Sequence, residues 1–238
     1  MYAGTGMYSL SEAARLIDVP SRQLNRWLFG YHYQKSQGDT RSRSWSPPLW
    51  TPALSTQEFD EKVIGFHDLL EVRFVHAFVQ YGVPLLVVRK CLESAQQIWG
   101  VKYPFTTLKF KTDGRTIFGE AIRQAGMDEA LVDLRNRQHV FREIISPSLY
   151  AGIEYHQDQA SRWYPLLKRE GIVLDPSRQF GSPIVEAAGT PTDILHASYM
   201  AEGGNEEAIK ATAAIYDIPP RLVRSAVRFE ESLRQRVH

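Results

Sequence analysis

Thiols are almost absent from this chain: Cys91 is its single cysteine in 238 residues. One cysteine excludes an intramolecular disulfide framework and any metal centre built from several thiolates. Its place in the apolar stretch LLVVRKCL predicts a core residue. Long apolar runs are missing too, and none approaches the roughly 20 residues that cross a bilayer. The first residues lack the charged and apolar regions of a secretory signal, so a soluble, cytoplasmic protein without membrane association is expected. Excess charge of one sign is lacking, with a formal net charge of +1. The fingerprints GxxxxGK[ST], GxGxxG, HExxH and GxSxG do not occur, so no enzyme, cofactor or metal is expected. Asp60, Glu61, Asp68 and Glu71 are dense enough to raise a metal-dependent nuclease. Their spacing scatters them around a helix, however, and a solvated helix face is the expected arrangement. His67 and Glu71, four apart, read as a surface pair for the same reason.

What is present is concentrated at the N-terminus, in YSLSEAARLIDVPSRQLNRWL over residues 8–28. Ser9 and Glu12 have the spacing of a capping box, and Ala13, Ala14, Leu16 and Ile17 share one helical face. Asp18-Val19-Pro20 stops that helix, with Ser21 as the expected cap of a second. In the second helix Leu24, Trp27 and Leu28 pack inward and leave Arg22, Gln23, Asn25 and Arg26 in front. That division suits a helix-turn-helix, whose second helix reads base edges. A helical hairpin with a polar outer face fits the pattern equally well. Between Arg15 and Trp45 six basic residues stand against Asp18 and Asp39, a local footprint for phosphate contact. Around Gly38-Asp39 two short stretches can pair as a hairpin, with Lys35, Arg41 and Arg43 placed to meet a sugar-phosphate backbone. A polar loop ended by Pro47-Pro48 is the competing reading.

Residues 56–99 return to helical periodicity, with Gly82 suited to a C-cap and Pro84 to the start of the next helix. The order of helix-turn-helix, basic wing, YGVP turn and LLVVRKCL helix resembles the winged-helix head of MerR-type regulators over about the first hundred residues. Such regulators often sense metals through cysteines, a site that Cys91 alone does not supply. In the middle, FTTLKFKTDGRTIFGE reads as a hairpin with Leu108, Phe110, Ile117 and Phe118 flanking Asp113-Gly114. LVDLRNRQHVF, SLYAGIEYHQ and GIVLD read as further short strands, with residues 158–164 as the edge or cover of a small sheet.

From Phe180 onward a short strand at Pro183-Ile184-Val185 precedes three helices: one capped by Thr192, one by Asn205, and one opened by Pro219-Pro220. Leu222, Ala226, Phe229, Leu233 and Val237 form an apolar stripe on the third, where Arg221, Arg224 and Arg228 also lie. The glycines, prolines and helix starts of GTPTDIL, EGGNEEAI and the segment after them resemble the trihelical domain of uncharacterised function found in many prokaryotic antitoxins. A MerR-like head with this tail is similar to VapB-type antitoxins of mycobacterial type II toxin-antitoxin modules.

The expected fold is therefore α+β and mainly α. A winged helix-turn-helix head occupies 1–100, and a strand-rich segment over 101–238 leads into a three-helix, HTH-like domain from about 180. The resemblance implies an antitoxin that neutralises a PIN-like ribonuclease toxin, binds operator DNA as a homodimer and regulates its own transcription. Ser21, Arg22, Gln23, Asn25, Arg26, Lys35, Arg41 and Arg43 are the DNA-binding candidates. Leu222, Ala226, Phe229, Leu233 and Val237 are candidates for a toxin or dimer contact, although closing the domain's own core is a competing use. A MerR-like, ligand-responsive regulator without a toxin is the alternative function.

Overall fold

A computed structural model describes residues 4–37, 40–54, 58–125 and 147–236. In the head, β1 (Tyr8–Ser9) leads into α1 (Leu10–Ile17) and α2 (Ser21–Phe29). The wing strands β2 (Tyr31–Gln37) and β3 (Thr40–Ser46) follow, then β4 (Val63–Ile64), α3 (Phe66–Gln80) and α4 (Leu85–Trp99). The capping box closes at α1, where Ser9 Oγ accepts from Glu12 N and Glu12 Oε2 accepts from Ser9 N at 2.8 Å. Such caps stabilise a helix start by about 1 kcal/mol. Helix α2 starts differently from the expectation: Pro20 holds the cap position, no side chain caps the helix, and Ser21 is its first residue. A proline there has no N–H to satisfy and presets the entry angle. Pro84 takes the same position before α4. The helical stretch expected from Thr56 begins only at Phe66, after β4; Thr56 lies outside the described residues.

The middle corrects one expectation. FTTLKFKTDGRTIFGE is not a hairpin but α5 (Leu108–Gln124), capped by Thr107, whose hydroxyl accepts from Phe110 N. Phe110, Gly114, Ile117, Phe118, Ala121 and Ile122 are buried on one side of it, against α4. The Asp113-Gly114 pair therefore sits inside a helix. Its glycine is needed for space, since a Cβ there would meet the Phe110 ring at 3.0 Å. Phe78, Phe105, Phe110 and Phe118 form one aromatic cluster around this contact, and that tertiary packing outweighs a local turn signal.

LVDLRNRQHVF lies outside the described residues. After the single turn of α6 (Pro147–Tyr150), β5 (Ile153–His156), β6 (Gln159–Trp163), β7 (Ile172–Leu174) and β8 (Pro183–Val185) form an antiparallel sheet in that order. The segment read as edge or cover, residues 158–164, supplies an inner strand instead, with Trp163 opposite both Ile153 and Leu174.

The tail consists of α7 (Thr192–Ala201), α8 (Glu206–Tyr216) and α9 (Pro220–Gln235). Asn205 caps α8 by accepting from Ala208 N at 3.0 Å. Thr192 does not cap α7, because Pro191 takes that place and the Thr192 hydroxyl turns to the Pro183 carbonyl and to Glu230. One hydrophobic core runs from Tyr8 and α1 through α3, α4, α5 and the sheet into α9, without a break at position 100.

Candidate nucleic-acid interface

Burial divides α2 as its pattern requires. Leu24, Trp27 and Leu28 are buried, Arg22 and Arg26 are exposed, and Ser21, Gln23 and Asn25 are half-buried. Two contacts hold the front. The Arg26 guanidinium lies 3.9 Å over the Tyr31 ring, which aims it toward the wing, and Asn25 Oδ1 accepts from Lys62 Nζ at 2.7 Å. Reading adenine takes both ends of an Asn amide; Asn25 keeps its NH2 donors and the second lone pair of Oδ1 for that use while Lys62 holds the first. Lys62 is exposed and adds a cation beside α2. It comes from a loop far along the chain, and no local pattern in the sequence marks it.

The wing leaves α2 at Gly30, whose φ of 74° and closeness to Trp45 exclude a side chain: a Cβ would stand 2.4 Å from the indole. Register pairs Tyr31 with Ser46, His32 with Trp45, Gln34 with Arg43, Lys35 with Ser42 and Ser36 with Arg41. Because successive strand positions alternate between faces, position 35 falls in series with Tyr31 and Tyr33, whereas 41 and 43 fall in series with Trp45. The three basic wing candidates thus divide between the two faces. Arg43 is exposed, while the side chains of Lys35 and Arg41 lie outside the described residues. His32 packs on Trp45 with ring centres 4.7 Å apart, and Trp45 remains half exposed.

Three neighbouring contacts fix the base of this wing. Arg89 of α4 donates to the carbonyls of Pro48 at 2.7 Å and Pro47 at 2.8 Å. Leu49 N donates to the Trp27 carbonyl in the last turn of α2 at 2.7 Å. Trp50 Nε1 donates to Asp68 at 2.7 Å. Asp68 also accepts from Ala53 N, Gly65 N and Tyr103 Oη. This corrects the solvated-face reading of the acidic cluster: Asp68 and Glu71 are fully buried, and only Asp60 and Glu61 are exposed. A buried carboxylate stands only if hydrogen-bonded, and each charge-assisted bond contributes roughly 1.5–3 kcal/mol. Glu71 accepts from Phe105 N at 2.9 Å and Thr106 N at 3.2 Å, yet burial pushes its carboxyl up to about 8. His67 does not pair with it but stacks on Tyr103. Among the described residues no three His, Cys, Asp or Glu side chains could share a metal ion, and no helix is long and apolar enough to cross a membrane.

The second candidate surface is corrected by burial. Leu222, Ala226, Phe229 and Leu233 are all at most 7% exposed and belong to the chain's own core. They pack α9 on α7, α8 and α1, so among the described residues the stripe is taken up within the chain, the competing use that its spacing also allowed. Val237 lies outside the described residues.

Residues 6–92 match a family described as "Putative DNA-binding HTH domain". The chain is 26% identical over 235 residues to "Putative antitoxin VapB45" of Mycobacterium tuberculosis, covering 93% of this chain and 92% of that one. Its fold is like the crystal structure of Rv2018 from Mycobacterium tuberculosis, with a TM-score of 0.65 and 21% identity over 95% of this chain and 100% of the other. That likeness extends over nearly the whole length of the antitoxin relative and the matched head carries the helix-turn-helix geometry, so the chain is similar to a VapB-type antitoxin and has a helix-turn-helix head.

Proposed function

We propose that this protein is the antitoxin of a type II toxin-antitoxin pair, and that it binds and neutralises a PIN-like ribonuclease and represses its own operon. The observation that carries the DNA-binding part is the α2–wing unit: a helix with an apolar back and an Arg22–Gln23–Asn25–Arg26 front, joined to a hairpin whose base is bonded to α2, α3 and α4. In this reading Arg22, Gln23, Asn25 and Arg26 meet base edges, and Ser21 and wing residues Lys35, Arg41 and Arg43 meet phosphates. A homodimer supplies two half-sites about one helical turn apart. The antitoxin part rests on likeness to a relative of that name.

Arg22→Ala with Arg26→Ala is expected to weaken operator binding at least tenfold and to lower its salt dependence. Unchanged affinity and salt slope would refute the DNA role. Co-expression with the product of the adjacent gene, followed by capture, sizing and an RNA-cleavage assay, tests the other half. A stoichiometric complex without cleavage activity is the expected result.

A second reading draws on a cleft of about 510 Å³ beside the sheet, lined in part by Arg73, Trp163, Tyr164 and Lys168. It has room for the small effector of a ligand-responsive regulator. Operator binding with no protein complex, but with affinity altered by a ligand seated in that cleft, would favour it.

A further inference from the structure

The turn between α1 and α2 is built a second time in the tail. Helix α1 ends at Asp18 with φ 57° and ψ 50°, and α8 ends at Asp217 with φ 52° and ψ 46°. In both places the next residue is a buried aliphatic, Val19 or Ile218, whose N–H returns 3.0 Å to the carbonyl of a buried alanine, Ala14 or Ala213. A proline then holds the cap: Pro20 with φ −53° and ψ 131°, and Pro219 with φ −55° and ψ 135°. An aspartate in the left-handed region and a proline at a helix start are each selective choices, and here they recur in the same order with the same hydrogen bonds.

The helices that follow correspond position by position. Leu24 and Leu28 have Val223 and Val227 as counterparts, all buried. In front, Arg22 and Asn25 have Arg221 and Arg224, and Arg228 stands one turn further on. Arg221, Arg224 and Arg228 are exposed on one face of α9 over about 10 Å of helix. Arg224 pairs with Glu206, and Arg228 Nη2 stands 3.1 Å from Glu170. The Arg224–Glu206 pair is exposed on both sides and screened by salt, so phosphate can displace its carboxylate; Glu170 is half-buried and also accepts from Ser225 at 2.8 Å, so Arg228 can turn to phosphate without leaving that carboxylate unpartnered. The α9 front has no counterpart of Gln23 or Arg26, since Leu222 and Ser225 hold those positions and are buried, so its three guanidinium groups suit phosphate oxygens better than base edges.

We propose that α8–turn–α9 is a second helix-turn-helix, which anchors the protein on the phosphate backbone of duplex DNA through Arg221, Arg224 and Arg228. It adds a second site for the same ligand class as the head, at a place that the helix-turn-helix match ending at residue 92 does not reach.

The test uses the full chain and a labelled duplex of about three helical turns, titrated at several salt concentrations. Five forms are compared: the unaltered protein, R22A/R26A, R221A/R224A/R228A, R221K/R224K/R228K, and R22A/R26A combined with R221A/R224A/R228A, each checked for an unchanged melting profile. The alanine triple is expected to lower the magnitude of the salt slope by about 2–3, near one per lost phosphate contact, and the lysine triple to keep it. In R22A/R26A the residual binding should remain salt-dependent and vanish when the α9 alanines are added. An alanine triple that binds with unchanged affinity and slope, while R22A/R26A is impaired, overturns this inference and leaves the head's role standing. Unchanged DNA binding together with a smaller assembly would make the α9 arginines a protein contact and likewise overturn it. Failure of the unaltered protein to bind any duplex overturns both readings.

Discussion

Asp68 and Glu71 sit one turn apart on α3 and meet burial with different means. Asp68 accepts four hydrogen bonds, from Trp50, Ala53, Gly65 and Tyr103, whereas Glu71 is held by the Phe105 and Thr106 amides and the Thr106 hydroxyl. Burial therefore dominates at Glu71 and raises its carboxyl from 4.5 to about 8, with the charge of Asp68 adding in the same direction. Below about pH 4.5 this group is protonated in folded and unfolded chains alike. Between about 4.5 and about 8 the folded chain still holds a proton that the unfolded chain has released, so stability falls as pH rises through that window. Urea midpoints measured across this range should show the decline, and Glu71→Gln, which stays neutral, should flatten it. If the variant declines as steeply as the natural chain, another group is responsible. Nothing at the level of sequence spacing marked these two carboxylates as interior; a helix pattern assigns faces, but the cover on Asp68 comes from the 50–53 and 103–106 segments.

At the scale of elements, the junction of α2 and the wing is the part of the candidate site that tolerates least. Gly30→Ala would put a methyl 2.4 Å from the Trp45 indole and 2.8 Å from the Ser46 carbonyl, at a φ of 74° that alanine resists. A destabilisation of about 1–3 kcal/mol is expected, with weaker operator binding because the wing must swing away. Denaturant midpoints and duplex affinity check both, and a variant equal to the natural chain in both would show the junction to be pliable. The helix-turn-helix and the wing were legible because their signals are local: a capping box, a 3.6-residue repeat, a turn between two polar strands. The reading of α5 as a hairpin failed for the complementary reason. Asp113-Gly114 is a strong local turn signal, but Phe110, Ile117 and Phe118 also share a helical face, and the groove beside α4 and Phe78 decides between the two.

At the scale of the whole molecule, the two ends of the chain are fastened together. Met7 N donates to the Phe180 carbonyl at 2.8 Å, and Tyr8 Oη to the Gly181 carbonyl at 2.7 Å. Arg236 donates to the carbonyls of Arg15 and Leu16 at the end of α1. With the continuous core, these contacts predict one cooperative unfolding transition, in which tryptophan fluorescence and far-UV circular dichroism coincide in urea. A tail that melts separately from the head would contradict this. Tyr8→Phe should cost about 1–3 kcal/mol by leaving a buried carbonyl unpaired.

The sequence by itself determined the starts of α1, α4, α8 and α9, the apolar backs of α1, α2 and α9, the wing hairpin and the three-helix tail, because each follows from periodicity and capping within a few residues. Only the tertiary structure decided which carboxylates are interior, that α5 is a helix, that Lys62 stands beside Asn25, and that the α9 stripe is covered by the chain itself. Those outcomes depend on surfaces brought together from distant segments, and burial is a property of the partner surface as much as of the residue.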